Sequence, residues 1–211
     1  MTAAADGVAG LLLAAGAGRR MGGPKALLPW GDELLVEHGA RLLAGAGCTP
    51  VIVVLGCQAD EVRERAALTA AATVTAADWE TGLAASLRAG LAALADGPGG
   101  AAVVALVDQP GIGGGAVRRL VDAWRAGAVA AVATYAGLAR NPVLLDRAVW
   151  PEVVAAAEGD VGARAWLGDN SGLVTPVACD GTGDPTDVDT PADYAALAAR
   201  ICPRPDTLET V

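Results

Sequence analysis

The stretch VAGLLLAAGAGRRMGGPK, Val8 to Lys25, decides the fold. It joins an apolar run, Val8–Ala14, to a turn crowded with Gly16, Gly18, Gly22 and Gly23, and ends on the only lysine in the chain. The run is too short to cross a bilayer. It carries no alternation of polar residues, so it reads as a strand covered on both faces. Every other member of the fifteen Lys and Arg residues is arginine. Glycines let backbone N–H groups turn inward as an anion-binding concavity. Arg19, Arg20 and Lys25 add positive charge, and a flexible ammonium follows a phosphate that moves, where a guanidinium clamps a fixed geometry. A polyphosphate-holding loop is the functional reading, and an ordinary tight turn is the plain one. The segment is neither a Walker loop, lacking G-K-[ST], nor a dinucleotide fingerprint, since the third glycine is misplaced and no acidic residue ends the second strand.

Outward from this loop, apolar runs alternate with helical patterns. Strands are predicted at Val8–Ala14, Val51–Leu55, Thr73–Ala76, Ala102–Val107, Ala128–Thr134, Val143–Leu145 and Leu173–Val177. Leu83, Leu87, Leu91 and Leu94 share one helical face after Thr81, and Leu35, His38 and Leu42 share another after Asp32-Glu33. Further helices are predicted at Ala59–Ala67, Gly115–Ala126 and Pro191–Arg200, the last with Thr190 as N-cap and Pro191 at N1. This alternation predicts an α/β fold, a three-layer, doubly wound, mostly parallel sheet of Rossmann-like type, with ligands at the carboxyl ends of the strands. One domain is expected over residues 8–201, with flexible tails at 1–7 and 202–211.

Composition narrows the function. The net charge is -9 and the pI about 4.5, with no basic run. Nucleic acid and anionic membrane are therefore not expected as partners. Cys48, Cys57, Cys179 and Cys202 form no C-x-x-C pair, and no secretory signal precedes them, so a reduced chain in the cytoplasm is expected. His38, the single histidine, lies at an apolar helical position and reads as a packed residue. Of the five tryptophans, Trp30 and Trp79 fall in loops that could wall a pocket.

Two acidic positions stand out. Asp108 ends the apolar run Ala101–Val107, and Asp187 and Asp189 alternate in Asp-Val-Asp-Thr-Pro. Alternate residues of an extended segment point the same way. Mg²⁺ takes one or two carboxylates together with phosphate and water, a role open to Asp108 with Asp189. A strand-ending turn and helix capping are the structural readings of the same residues.

Together these pieces resemble a family. Leu13-Ala14-Ala15-Gly16-Ala17-Gly18-Arg19-Arg20-Met21-Gly22 with Lys25 resembles the L-A-A-G-x-x-x-R-M-G…K signature of MobA-like nucleotidyltransferases. Asp108-Gln109-Pro110, Asp187-Val188-Asp189-Thr190-Pro191 and Gly159-Asp160-Val161-Gly162-Ala163-Arg164 resemble the D-Q-P, D-[IV]-D-T-P and G-D-x-G-A-R segments of the molybdenum cofactor cytidylyltransferase-like branch. The resemblance implies the nucleotide-diphospho-sugar transferase type of fold. It also implies an enzyme that moves CMP from CTP, or another NTP's nucleotide, onto a phosphate-bearing acceptor such as molybdopterin, with Mg as cofactor and pyrophosphate released.

Leu13, Ala14, Ala15, Gly16 and Gly18 would line the nucleotide, Lys25 would contact its phosphates, and Asp78 would contact the nucleoside. Asp108, also a nucleotide contact, and Asp189 are the implied metal positions; Lys25 and Arg19 join them in catalysis. A molybdoenzyme or its chaperone is the implied protein partner. Arg140-Asn141-Pro142 stands where the branch has Gly-His-Pro, on the acceptor side, and Arg164 is a candidate for the acceptor's charge. A sugar or polyol phosphate acceptor and a nucleotide-binding accessory module without turnover are the alternatives.

Overall fold

The structure, a computed structural model, describes residues 7–201. The tails expected at 1–7 and 202–211 lie, Gly7 apart, outside the described residues. Seven strands form one sheet: β1 (Val8–Leu13), β4 (Val51–Leu55), β5 (Ala72–Thr75), β6 (Ala101–Leu106), β7 (Ala130–Tyr135), β8 (Leu138–Asp146) and β9 (Val174–Ala178). Their order is β5-β4-β1-β6-β8-β7-β9. All pairings are parallel except those of β8, which runs antiparallel to both β6 and β7. This is the mostly parallel, Rossmann-like sheet that the alternation predicts. A two-stranded hairpin, β2 (Pro29–Trp30) and β3 (Glu33–Leu34), turns at Gly31 and Asp32.

Side-chain alternation along the strands fills two cores. Val8, Leu12 and Ala14 of β1 and its extension join Val53, Leu55 and Val103 on one face. Helices α1 (Leu35–Gly45), α2 (Ala59–Arg65), α4 (Gly114–Arg125) and α7 (Pro191–Ile201) cover that face through Leu43, Val62, Leu120 and Leu197. Leu11 and Leu13 point the other way, with Val54 and Val104. There they meet Leu87 and Leu91 of α3 (Leu83–Leu94), Val153 of α5 (Trp150–Ala156) and Trp166 of α6 (Arg164–Asp169). One helix presses on β1 from each side: a methyl on Gly39 of α1 would lie 2.8 Å from Leu12, and one on Gly90 of α3 would lie 2.4 Å from Leu11. β1 is therefore tightly packed from both faces.

The chain steps outward from β1 to β4 and β5, then returns to the far side of β1 as β6. The carboxyl ends of β1 and β6 thus flank a topological switch point, where a doubly wound sheet opens a crevice. The ladder between them ends at Leu13 opposite Leu106. Lys25, Asp108 and Asp189, all beyond that rung, line the crevice.

Candidate active site

The loop after β1 folds back on itself. Gly18 has φ 56°, and a side chain there would place its Cβ 2.0 Å from the Gly23 carbonyl oxygen. Gly18 accepts hydrogen bonds from the N–H groups of Met21 and Gly23, at 2.7 and 3.3 Å. The fold-back sets up a second short turn, Lys25–Leu27, with Ala26 and Leu27 buried beneath it. Lys25 is thereby aimed across the crevice instead of into water, with its side chain only 15% exposed.

What it meets are two carboxylates from distant parts of the chain. The Lys25 Nζ donates to Asp108 Oδ2 at 2.9 Å and to Asp189 Oδ1 at 2.7 Å. Asp108 stands two residues past β6. The Asp187–Asp189 segment reaches it because the Val188 N–H donates to the Asp108 carbonyl at 2.8 Å, with the Val188 side chain fully buried. That single bond leaves its two neighbours on the crevice side: Asp189 takes Lys25, and Asp187 accepts from Gln109 Nε2 at 2.8 Å. Arg20 approaches Asp189 at 3.9 Å. After Asp189, Thr190 and Asp193 cap α7 reciprocally, fixing where the segment ends.

The charges hold one another. Burial works against the ammonium, but Asp108 and Asp189 outweigh it and keep the Lys25 pKa above its ordinary 10.5. The hydrogen bond from Lys25 holds Asp189 below the usual carboxylate range, against some desolvation. Asp187 goes the other way: desolvation and then the charge of Asp108 raise its pKa. Asp108 Oδ1 is buried and has no hydrogen-bond partner.

These groups form one end of a cleft of about 690 Å³. Its walls include Leu13, Ala15, Gly16, Gly18 and Arg19 on the loop side. On the opposite side stand Trp79 and Glu80 of the short turn Trp79–Thr81, then Gly82, Leu83 and Ser86 at the start of α3, with Asp160 and Arg164. Ala14 lies in the core beneath the loop, outside the lining. Asp78 also lies outside it: its exposed carboxylate faces Arg88 at 3.9 Å, while the adjacent Trp79 is part of the lining. Trp30 is buried against His38 and Tyr194, outside the cleft lining. His38 bridges two elements, donating from Nε2 to the Pro110 carbonyl at 3.0 Å while Nδ1 faces Glu33 at 2.9 Å.

A second cavity, about 790 Å³, adjoins the cleft and shares Leu13, Leu83, Leu106, Arg164 and Asp187 with it. Its walls are mainly aliphatic, among them Leu87, Val104, Val132, Leu167 and Val174, with Gln109, Arg140 and Asn141 as polar points. Trp79, expected as a pocket wall, lines the cleft, whereas sequence reasoning missed Ser86 and this cavity; the small-residue start of α3 at Gly82 was the available signal.

Among the described residues, no three of His, Cys, Asp and Glu gather to hold a metal ion unaided. The donor set still fits a hard divalent cation. Three carboxylates face one ammonium, one carboxylate oxygen is buried and unpartnered, and such an ion needs only one or two protein carboxylates when phosphates supply the rest. Asp108 and Asp189 would hold it. Among the described residues, no helix is long and apolar enough to cross a membrane.

The MobA-like NTP transferase domain matches residues 10–173. The chain belongs to that family. A nicotine blue oxidoreductase from Paenarthrobacter nicotinovorans is 39% identical over 191 residues, covering 87% of this chain and 92% of that one. Rv0371c from Mycobacterium tuberculosis H37Rv is 33% identical, with a TM-score of 0.80 over 91% of this chain and 97% of that chain. A structure of Rv0371c in complex with manganese is 30% identical, with a TM-score of 0.76 over 92% and 100% of the two chains. Fold, site and family together make this protein a MobA-like nucleotidyltransferase.

Proposed function

We propose that the protein transfers CMP from CTP to the phosphate of an acceptor seated in the second cavity. The observation that carries this reading is Lys25 held between Asp108 and Asp189 at the carboxyl ends of β1 and β6. Among the described residues, these charges converge in a cleft large enough for a nucleotide. Ala15 in the Leu13–Gly16 turn and the Asp108-Gln109-Pro110 segment support cytidine as the base, and the manganese complex of Rv0371c supports a divalent ion, which we take to be Mg²⁺ in the cell. Reduced thiols support a cytoplasmic setting: Cys48, Cys57 and Cys179 are free, and burial pushes Cys48 to about 12. A molybdopterin acceptor, with delivery to a molybdoenzyme or its chaperone, follows the same resemblance.

The chemistry needs little from acid–base groups. An acceptor phosphomonoester is largely dianionic near neutral pH, its second pKa being about 6. Its oxygen attacks the α-phosphorus, a new P–O bond forms, and the bond to the bridging oxygen breaks to release pyrophosphate. The single histidine is occupied outside the cleft, on Pro110 and Glu33. Positioning and charge stabilisation remain. Lys25, Arg19 and the N–H groups of the Gly16–Gly18 turn stabilise the departing pyrophosphate. Trp79 offers a flat face to the nucleoside and replaces Asp78 as the contact we favour there. Arg164, lining both cavities, draws the acceptor phosphate to their junction. A divalent ion bound at Asp108 and Asp189 would neutralise charge on the α-phosphoryl oxygens. The aliphatic second cavity supports an acceptor with an apolar body over a sugar or polyol phosphate.

The 39% identity to a protein named an oxidoreductase favours a second reading, redox use of the same cleft with a dinucleotide. One experiment separates the two. The protein is incubated with each of four NTPs, Mg²⁺ and a panel of phosphorylated acceptors, with pyrophosphate measured, and in parallel with NADH or NADPH and the unphosphorylated acceptors. Pyrophosphate release with CTP supports nucleotidyl transfer. Nicotinamide oxidation without pyrophosphate release overturns it, and nucleotide binding without any turnover points to an accessory module.

A further inference from the structure

We propose that Lys25 is a built-in stand-in for the metal ion, so that the metal site exists only once a nucleotide has drawn Lys25 away. This rests on the reading of Asp108 and Asp189 as the metal-holding pair. The ammonium lies within hydrogen-bonding distance of both carboxylates, 2.9 Å from Asp108 and 2.7 Å from Asp189. It therefore occupies the space that a cation bridging the same two groups would need. A bare divalent ion must displace an ammonium that is well paired and mostly shielded from water, and leave that ammonium buried without a partner. Mg²⁺ also dehydrates reluctantly, so two carboxylates alone offer a poor exchange.

A triphosphate changes the balance. Its oxygens give Lys25 new partners and at the same moment offer the metal additional ligands. Lys25 rises from a short turn that leads out of the glycine loop, so the swing from carboxylates to phosphates needs only side-chain rotation. The lock has two consequences. Free metal is kept off the site, and the three acidic groups, including Asp187, remain compensated while the cleft is empty. Metal and nucleotide then enter as one unit. Arg20, 3.9 Å from Asp189 and exposed, is placed to follow the same exchange without replacing Lys25 in the lock.

The test is Mn²⁺ binding to the whole protein in the absence of nucleotide, read by electron paramagnetic resonance at about pH 8, where the carboxylates are ionised. Lys25→Met keeps the length of the side chain and removes its charge. It should bind Mn²⁺ at least about tenfold more tightly than the wild type, equivalent to about 1.4 kcal/mol. Asp108→Asn in the Lys25→Met background should abolish the gain. Lys25→Gln serves as a second neutral variant, and thermal melting confirms that each is folded. Equal Mn²⁺ affinity in wild type and both neutral variants, with loss in Asp108→Asn, overturns the lock while leaving the metal reading standing. No Mn²⁺ binding to any of them, with or without CTP, overturns both.

Discussion

The cleft under the glycine loop and the cavity beside it share Leu13, Leu83, Leu106, Arg164 and Asp187, yet they are made differently. The cleft is built from charge and bare backbone. Its recognition elements are an ammonium, carboxylates and glycine N–H groups, each set by a turn or strand end. The second cavity is built from aliphatic surface contributed by β1, α3, β6, β7, β8, α6 and β9. Charge-built sites bind a common ligand class and depend on single residues. Surface-built sites depend on shape, tolerate single changes better, and distinguish one acceptor body from another. The difference teaches that removing one cleft residue should stop turnover, whereas altering one cavity residue should change which acceptor is used.

The largest expected effect breaks the cleft. Lys25→Ala and Asp108→Ala should each lower kcat by about a hundredfold or more, the usual cost of losing a charge-stabilising contact, with the thermal midpoint showing a folded protein. Near-normal pyrophosphate release from either variant would remove them from the machinery. Next comes the cavity. Leu167→Asp places a charge in its aliphatic wall and should raise the acceptor KM about tenfold while leaving the KM for CTP unchanged. A matching rise in both would mean that the two cavities do not divide the substrates.

The same contrast explains what could be read in advance. The strands around the cleft were legible because both-face burial writes continuous apolar runs: Val51–Leu55 is found as expected, and β1 and β6 shift by only one residue. Lys25, Asp108 and Asp189 stood out as a lone lysine in a glycine-rich loop and as carboxylates after a strand and before a helix, and the fold brings the three together. The second half was less so. β8 extends from Leu138 through Arg140 to Asp146, because its first half is exposed and pairs as an antiparallel edge of β7, which leaves no apolar run to notice. Helices α5 and α6, seven and six residues long, are too short to show a face. The cavity that α6 helps to form takes residues from β1, α3, β6, β7, β8, α6 and β9, so no single local pattern announces it. Motif spacing does not separate Asp78, which lies outside the cleft lining, from its neighbour Trp79, which is part of it.

Two smaller effects sharpen the picture of the cleft's scaffold. Gly18→Ala forces a side chain into a left-handed position and against the Gly23 carbonyl. It should cost about 1–3 kcal/mol of stability and raise the KM for CTP, as the loop no longer folds back to aim Lys25. A KM unchanged beside a lowered melting point would uncouple the loop from the nucleotide. Last, Glu33 is held below its ordinary 4.5 by the hydrogen bond from Arg41, against some desolvation, with a further contribution from His38. A depressed carboxylate pKa stabilises the fold above the unfolded value, and that contribution fades as pH falls through the lower folded value. Glu33→Gln should therefore lose no more than about 1 kcal/mol at neutral pH, since Arg41 is largely exposed, and the difference from wild type should shrink in urea melts as pH falls below 4.5. A difference that persists in acid would assign the loss to packing around α1.

The most direct measurement is a crystal structure with Mn²⁺ and a non-hydrolysable CTP analogue, with manganese located by its anomalous scattering. The account predicts manganese between Asp108 and Asp189, with the Lys25 ammonium moved onto the triphosphate and the nucleoside beside Trp79. Lys25 still seated between the two carboxylates, with the nucleotide bound away from the Gly16–Gly18 turn, would contradict it.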